Sequence, residues 1–104
     1  MIYTTTETLP NKEITEVLGV ARGNSIRAKH VGKDIIAGLR SIVGGEIKEY
    51  QEAMFEAREL AIARMLESAE EMGADAVVNV RFTTSQVMTG AAELLAYGTA
   101  VKIS

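Results

Sequence analysis

The stretch that decides the fold is Glu46–Met72, which reads EIKEYQEAMFEARELAIARMLESAEEM. It contains no glycine or proline and is dense in Ala, Glu, Met and Leu, which form helices readily because they lose little side-chain entropy there. Gly44 and Gly45 precede it, and Gly73 follows, where a left-handed residue commonly ends a helix. The sequence therefore predicts one helix over Glu46–Met72, about 40 Å long at a rise of ~1.5 Å per residue.

Apolar side chains cover nearly half of the circumference of this helix. The first apolar stripe contains Ile47, Tyr50, Met54, Ala57, Ala61, Met65, Ala69 and Met72. The second apolar stripe, beside the first, contains Phe55, Ile62 and Leu66. One packing surface needs an arc of only about 100°. The extra width favours self-association through the second stripe; alternatively, the N-terminal segment and a short helix predicted over Lys33–Val43 cover it within the chain.

The region before the helix has the pattern of strands. Met1–Lys12 is predicted to hold a short strand and a loop. Glu13–His30 mixes β-branched and polar residues in a loose alternation, which is typical of a strand. Gly23-Asn24 interrupts it, either as a bulge that bends one long strand or as a hairpin turn. We favour the single bent strand.

Two further strands follow the helix. The first begins near Ala76, and its alternation predicts that Val78, Val80 and Phe82 share one face. The second is Ala91–Ile103, which is apolar on both faces and is therefore expected to be covered on both. The order strand, helix, strand, strand predicts a single α+β domain over residues 1–104. It has two layers, an antiparallel sheet of about three strands packed on the long helix.

Composition and charge narrow the classes of function. The formal net charge is −3 and no basic stripe occurs, which argues against a nucleic-acid partner. No apolar run approaches the ~20 residues of a membrane-spanning helix, and the N-terminus lacks the pattern of a signal peptide. We therefore expect a cytoplasmic protein without a membrane partner. The absence of cysteine excludes disulfides, thiolate metal sites and cysteine nucleophiles.

Three residues are the candidate ligand-binding groups. Arg58 falls inside the apolar arc of the helix, where a buried guanidinium must be paired or must reach water along its stem. It is predicted to form a structural ion pair or an interface contact, or to bind an anion in an oligomeric cavity. His30, the single histidine, lies close to Asp34 in the sequence. One histidine and one carboxylate are too few for a zinc site unless several subunits contribute.

Enzymatic catalysis is not expected from these residues. The serines are not accompanied by a second histidine, and none lies in a Gly-x-Ser-x-Gly turn. Gly44-Gly45 leaves free N–H groups at the helix start, but Glu46 and Glu49 repel a phosphate there. The sequence contains neither a P-loop nor a dinucleotide-binding fingerprint.

Taken together, several short motifs resemble the YbjQ-like family of small proteins. The matching elements are Leu18-Gly19-Val20, Arg22-Gly23, Lys33-Asp34-Ile35, Ala37-Gly38, Gly44-Gly45-Glu46, Tyr50, Ala57-Arg58, Ala61, Gly73-Ala74-Asp75-Ala76-Val77-Val78 and Gly98-Thr99-Ala100-Val101. The resemblance extends from about Glu13 to Ile103. Each motif alone is weak, but the combination is specific.

The resemblance implies a strand-helix-strand-strand subunit, similar to dodecin subunits, that assembles into a ring, typically a pentamer. The family is often labelled as heavy-metal-binding, which implies a metal ion as a ligand. Two functional classes follow. One is a ring-forming binding module that holds a metal ion or small ligand near subunit boundaries, with Arg58, His30 and Asp34 as its polar groups. The other is a structural or interaction homo-oligomer without a small-molecule site.

Overall fold

The computed structural model describes residues 1–27, 45–88 and 91–104, and the side chains of 1–26, 51–86 and 92–104. The elements are β1 (Ile2–Tyr3), β2 (Ile14–Arg27), helix α1 (Gly45–Glu71), β3 (Ala76–Met88) and β4 (Ala91–Ile103). The predicted helix Glu46–Met72 is confirmed with a shift of one residue at each end. The short helix predicted over Lys33–Val43 lies outside the described residues.

The described strands form one mixed sheet in the order β1-β3-β4-β2. β4 is antiparallel to both β3 and β2, as the sequence predicts. β1 adds a fourth strand, which is parallel to β3. The N-terminal segment continues along β3 beyond β1, because the N–H groups of Asn79 and Val80 donate to Thr6 and Thr4 at 3.0 and 2.9 Å. The α+β class is confirmed, and the sheet differs from the prediction only by this short strand.

β2 is one continuous strand, so the preference for a single strand over a hairpin is confirmed. Its irregularities lie between Ile14 and Glu16 and between Val17 and Gly19, whereas Gly23 pairs in register with Ala96. Gly23 is needed for a different reason. A Cβ at Gly23 collides with the backbone of α1 at Ala61 and Met65. The glycine therefore lets the helix lie directly on β2.

The first apolar stripe of α1 covers the sheet. Ala57, Ala61, Met65 and Ala69 are fully buried, and Met65 is the large side chain among them. Three of these residues join a core cluster with sheet residues, which are Ala21, Val77, Val80, Ala96 and Ala100. Small side chains at this contact permit the close approach at Gly23. We call this side of the sheet the helix face.

Gly73 ends the helix in the way predicted. Its φ is +80°, a left-handed conformation that costs a residue with a Cβ more than it costs glycine. The Gly73 N–H donates to the Glu70 carbonyl at 2.9 Å, and the Ala74 N–H donates to the Ala69 carbonyl at 3.1 Å. These two bonds define a Schellman motif, which satisfies carbonyls left open by the end of the helix.

A bulge at Asn79 changes which residues of β3 face the helix. Asn79 has a φ of +55°, and the pairing with β4 shifts between Val78 and Arg81. Val78 therefore packs on the opposite side of the sheet from Val80. The prediction that Val78, Val80 and Phe82 share one face is wrong, because the extra residue reverses the alternation. Phe82, two residues after Val80, follows it onto the helix face.

On the opposite side of the sheet, which we call the outer face, the described residues form a core only near one end. There Ala76, Val78 and Val101 form a small core. Leu9 and Ile14 of the N-terminal part pack against it, together with Ile103. Elsewhere the outer face is largely exposed, with Val20 at 59% and Ile26 at 55%. The expectation that β4 is covered on both faces holds at its Val101 end.

Candidate interaction site

The orientation of α1 decides which of its flanks is open. Arg64 extends from one flank and donates from Nη1 to the backbone carbonyl of Asn24 on β2, at 2.6 Å. That flank therefore lies over β2, the last strand of the sheet. At about 100° per residue, Phe55, Ile62 and Leu66 lie on the other flank. The second apolar stripe consequently turns towards the β3 side of the sheet.

This β3-side flank is only partly covered. Phe55 is 56% exposed, whereas Ile62 and Leu66 are half-buried. The helix packs mainly on β2, less on β4, and hardly on β3. Phe82 of β3 lies on the helix face beyond the reach of α1 and is 45% exposed. An apolar helix flank thus stands beside an apolar, open part of the sheet.

The N-terminal segment does not cover this flank. Its apolar residue Leu9 packs against Val78 and Val101 on the outer face, away from α1. The alternative that the N-terminal segment covers the second apolar stripe is therefore wrong. The short helix predicted over Lys33–Val43, which would cover the rest of this stripe, lies outside the described residues.

Arg58 is exposed, which agrees with the alternative that its guanidinium reaches water along its stem. Its helical angle lies between those of Met65 and Ala69, which are fully buried nearer the C-terminal end of α1. An open groove of about 550 Å³ is lined by Arg58 with Gln51, Glu52, Phe55 and Glu56. Two carboxylates accompany the single guanidinium, so within one copy the groove has no excess of positive charge.

The other candidate ligands, His30 and Asp34, lie outside the described residues. Their role as ligands therefore stays a prediction. Over residues 1–27, 45–88 and 91–104, no three or more acidic or histidine side chains gather closely enough to hold a metal ion. The helix that the structure describes is not long and apolar enough to cross a membrane.

Sequence reasoning did not single out a polar cleft at the open edge of the sheet. Arg22, Gly23, Asn24, Glu93 and Leu95 line this cleft, which has a volume of about 430 Å³. The Asn24 amide donates to the Glu93 carboxylate at 3.0 Å. These groups come from strands about 70 residues apart in the chain. Only the register of β2 with β4 brings them together, and no local pattern in the sequence encodes that register.

These features define a class: an α+β subunit in which one long helix packs on a mixed sheet, with exposed apolar side chains on both the helix and the sheet. The whole chain, residues 1–104, matches the YbjQ family, which is described as "Putative heavy-metal-binding". The chain belongs to this family, and the resemblance found in its motifs is confirmed.

Close relatives occur in several organisms. A UPF0145 protein of Methanosarcina acetivorans is 69% identical over 99% of this chain and 97% of its own length. A UPF0145 protein of Archaeoglobus fulgidus is 66% identical over 99% of this chain and 95% of its own. A third, from Thermosipho africanus, is 61% identical over 99% of this chain and 95% of its own.

A solved structure shares the fold. It is a crystal structure of a protein of unknown function from Pediococcus pentosaceus that belongs to the DUF74 family. The TM-score is 0.67 with 16% sequence identity, over 100% of this chain and 98% of the other. At that identity the likeness concerns the architecture alone.

Proposed function

We propose that this chain is the subunit of a ring-shaped homo-oligomer, a pentamer as the resemblance implies, that holds a metal ion or a small ligand near subunit boundaries. The observation that carries the proposal is the open flank of α1 together with the open part of β3 beside it, where Phe55 and Phe82 leave large apolar side chains in water. Covering one such side chain is worth about 1.5–3 kcal/mol. A neighbouring copy offers the cover that the described part of the subunit lacks.

The dimensions of the subunit support association. Its accessible surface is 6778 Å². A compact monomer of 11.2 kDa exposes about 5,700 Å² by the usual scaling with mass. Its radius of gyration is 16.8 Å, against about 13 Å for a compact domain of roughly 100 residues. The chain is thus more extended than a compact domain of its size.

The ligand is proposed at a boundary because no single copy gathers enough polar groups within its described residues. Arg58 offers a guanidinium that prefers carboxylate or phosphate oxygens. His30 and Asp34 offer the nitrogen and oxygen ligands that a divalent metal takes. Repetition around a ring multiplies each group, so one histidine per chain becomes several per assembly. The family description supports a metal ion as the ligand class, and it describes binding rather than catalysis.

We assign no catalytic step to this chain and place its action in the cytoplasm. Neither nucleic acid nor a membrane is proposed as a partner, since the acidic balance and the scattered Lys and Arg residues offer no basic footprint. Its main partner is a second copy of itself.

Native mass spectrometry of the gently purified protein tests both parts of the proposal. We expect one assembly of fixed subunit number that carries a reproducible extra mass. Elemental analysis then shows whether this extra mass is a metal. The variants His30→Ala and Asp34→Ala are expected to lose a metal, and Arg58→Met to lose an anionic ligand. Lys12→Met is the control, since its exposed side chain is outside all three candidate groups. A bare ring in every preparation overturns the ligand and leaves a structural or interaction oligomer.

A further inference from the structure

A row of three exposed side chains crosses the outer face of the sheet. Arg22 of β2 and Arg81 of β3 both pair with Tyr97 of β4, which lies between them. Each of the three follows a residue of the core cluster beneath α1, and these preceding residues are Ala21, Val80 and Ala96. Successive side chains of a strand point to opposite faces. Arg22, Tyr97 and Arg81 therefore all lie on the outer face, and we call them the arginine–tyrosine row.

The side chains of Arg22 and Tyr97 begin close together. The Asn24 carbonyl points away from β4, because Arg64 of the helix donates to it. In antiparallel strands, alternate residues direct their backbone groups to the same side, so those of Arg22 also point away from β4. The Cα atoms of such a pair are only about 4.5 Å apart, and their side chains interact. The Arg22 guanidinium therefore lies within reach of the Tyr97 ring.

Arg81 is held in place at the other end of the row. Its Nη1 donates to the backbone carbonyls of Thr5 and Val80 at 3.0 and 2.9 Å. These two bonds use the two hydrogens of Nη1 and leave those of Nε and Nη2 for other acceptors. A guanidinium binds phosphate through two parallel N–H groups, which the edge formed by Nε and Nη2 provides. Arg81 is thus a donor that is already positioned for an anion.

The row has two positive charges and uncharged neighbours. On the outer face of β2, β3 and β4 these neighbours are Val20, Asn24, Val78, Thr83, Leu95 and Thr99. Glu93 lies one pair beyond Asn24, and its carboxylate accepts a hydrogen bond from the Asn24 amide at 3.0 Å. The chain as a whole has a formal net charge of −3. The local excess of positive charge therefore differs from the rest of the molecule and favours an anion.

We propose that the arginine–tyrosine row binds an aromatic phosphate monoester, the chemical class to which mononucleotides belong. The base stacks on the Tyr97 ring, an interaction that is open to every base because each has a π face. The phosphate, with close to two negative charges at neutral pH, binds to the open edge of the Arg81 guanidinium. Arg22, on the opposite side of Tyr97, adds a second positive charge and a further planar surface for the base.

A single mononucleotide fits this surface better than a nucleic-acid strand does. A strand needs a basic groove that follows several phosphates and several aromatic rings on which successive bases stack. Here two arginines flank one aromatic ring. The site goes beyond the function proposed above, because the three residues belong to one subunit and no subunit boundary is needed to form it.

Isothermal titration calorimetry of the intact protein at low ionic strength tests the ligand class with three probes. AMP has both the base and the phosphate, adenosine has only the base, and ribose 5-phosphate has only the phosphate. We expect AMP to bind with a Kd at least about tenfold lower than that of either fragment. Equal binding of AMP and ribose 5-phosphate overturns the proposal, because the base then contributes nothing. Tighter binding of a single-stranded oligoadenylate than of AMP also overturns it.

Substitutions in the row test the residues. Tyr97→Leu removes the aromatic ring and is expected to raise the Kd for AMP about tenfold, whereas Tyr97→Phe keeps the ring and should bind AMP as the unmodified chain does. Arg81→Lys keeps the charge but loses the two parallel N–H groups, which should also raise the Kd about tenfold. Arg22→Met, which removes one charge and the planar group, should raise it about threefold or more.

Lys102→Met is the matched control for charge. It removes one positive charge from an exposed position of β4 outside the row and should leave the Kd for AMP unchanged within about twofold. Circular dichroism shows whether each variant is folded. If the folded variants of the row bind AMP as tightly as Lys102→Met does, the row is not the site and the proposal is overturned.

Native mass spectrometry of the same samples separates this inference from the proposed oligomer. An intact assembly that binds no AMP overturns the nucleotide site and leaves the oligomer standing. A monomer that binds AMP through the row overturns the oligomer and supports the site.

Discussion

The two flanks of α1 meet the rest of the subunit in opposite ways. On the β2 side, the helix backbone lies so close to Gly23 that there is no room for a methyl group, and Arg64 bonds to the strand beneath. On the β3 side, Phe55 is exposed and the sheet continues beyond the reach of the helix. The contrast indicates that one flank fixes the fold, while the other is available to a second copy.

The largest effect is expected where the two backbones touch. Gly23→Ala places a Cβ against the backbone of Ala61 and Met65, which cannot move aside as the end of a side chain can. We expect the free energy of unfolding, measured by urea denaturation, to fall by about 3 kcal/mol. Gly73→Ala is the control: its Cβ meets nothing within 4 Å, and only its φ of +80° is strained. That variant should lose about 1 kcal/mol. Equal losses contradict the close approach.

The open flank should affect assembly more than folding. Phe55→Ser removes an exposed ring, so the subunit should keep its spectrum while each subunit contact loses about 1.5–3 kcal/mol. Sedimentation equilibrium measures this as a shift towards smaller species. Glu67→Ser, which removes an exposed side chain about 120° away from Phe55 round the helix, should leave association unchanged. If Phe55→Ser assembles like the unmodified chain, this flank is not the subunit interface.

A smaller effect is expected at the one buried serine among the described side chains. The Ser25 hydroxyl donates to the Ala57 carbonyl of α1 at 2.8 Å. Ser25→Ala removes that donor and should lower the free energy of unfolding by about 1 kcal/mol. Ser85→Ala on exposed β3 is the matched control and should change it by less than about 0.5 kcal/mol. If Ser25→Ala leaves the free energy of unfolding unchanged, the hydroxyl does not help to hold the helix on β2.

The smallest effect on the free energy of unfolding is expected from substitutions of two arginines of α1. Arg64→Met keeps the aliphatic stem but loses the bond to the Asn24 carbonyl, which should cost about 0.5 kcal/mol because the site is exposed. Arg58→Met removes an exposed guanidinium in the open groove and should leave the free energy of unfolding unchanged. Thermal unfolding of the two variants side by side measures the difference. A larger loss for Arg58→Met would place its guanidinium in a contact that stabilises the subunit.

Local chemistry made much of the helix predictable. The run without glycine or proline gave its bounds to within one residue, and Gly73 gave its end. The burial of Ala57, Ala61, Met65 and Ala69 followed from helical periodicity alone. Each of these features depends on residues a few positions apart, where propensity and spacing act directly.

The features that the sequence did not predict depend on contacts between distant segments. Asn79 reverses the alternation of β3 by adding one residue opposite β4, and no pattern in the neighbouring sequence predicts this bulge. Arg58 has a helical angle between those of the buried residues Met65 and Ala69, yet it is exposed, which helical periodicity alone does not predict. The cleft at Arg22 depends on the pairing of β2 with β4. His30 and Asp34, outside the described residues, stay predictions.

The central claim is that the open flank of α1 is covered by a copy of the same chain. Analytical ultracentrifugation of the unmodified protein at micromolar concentration tests it most directly. The account predicts one species at a fixed multiple of the 11.2 kDa subunit mass. A single species of 11.2 kDa across the concentration range would contradict it.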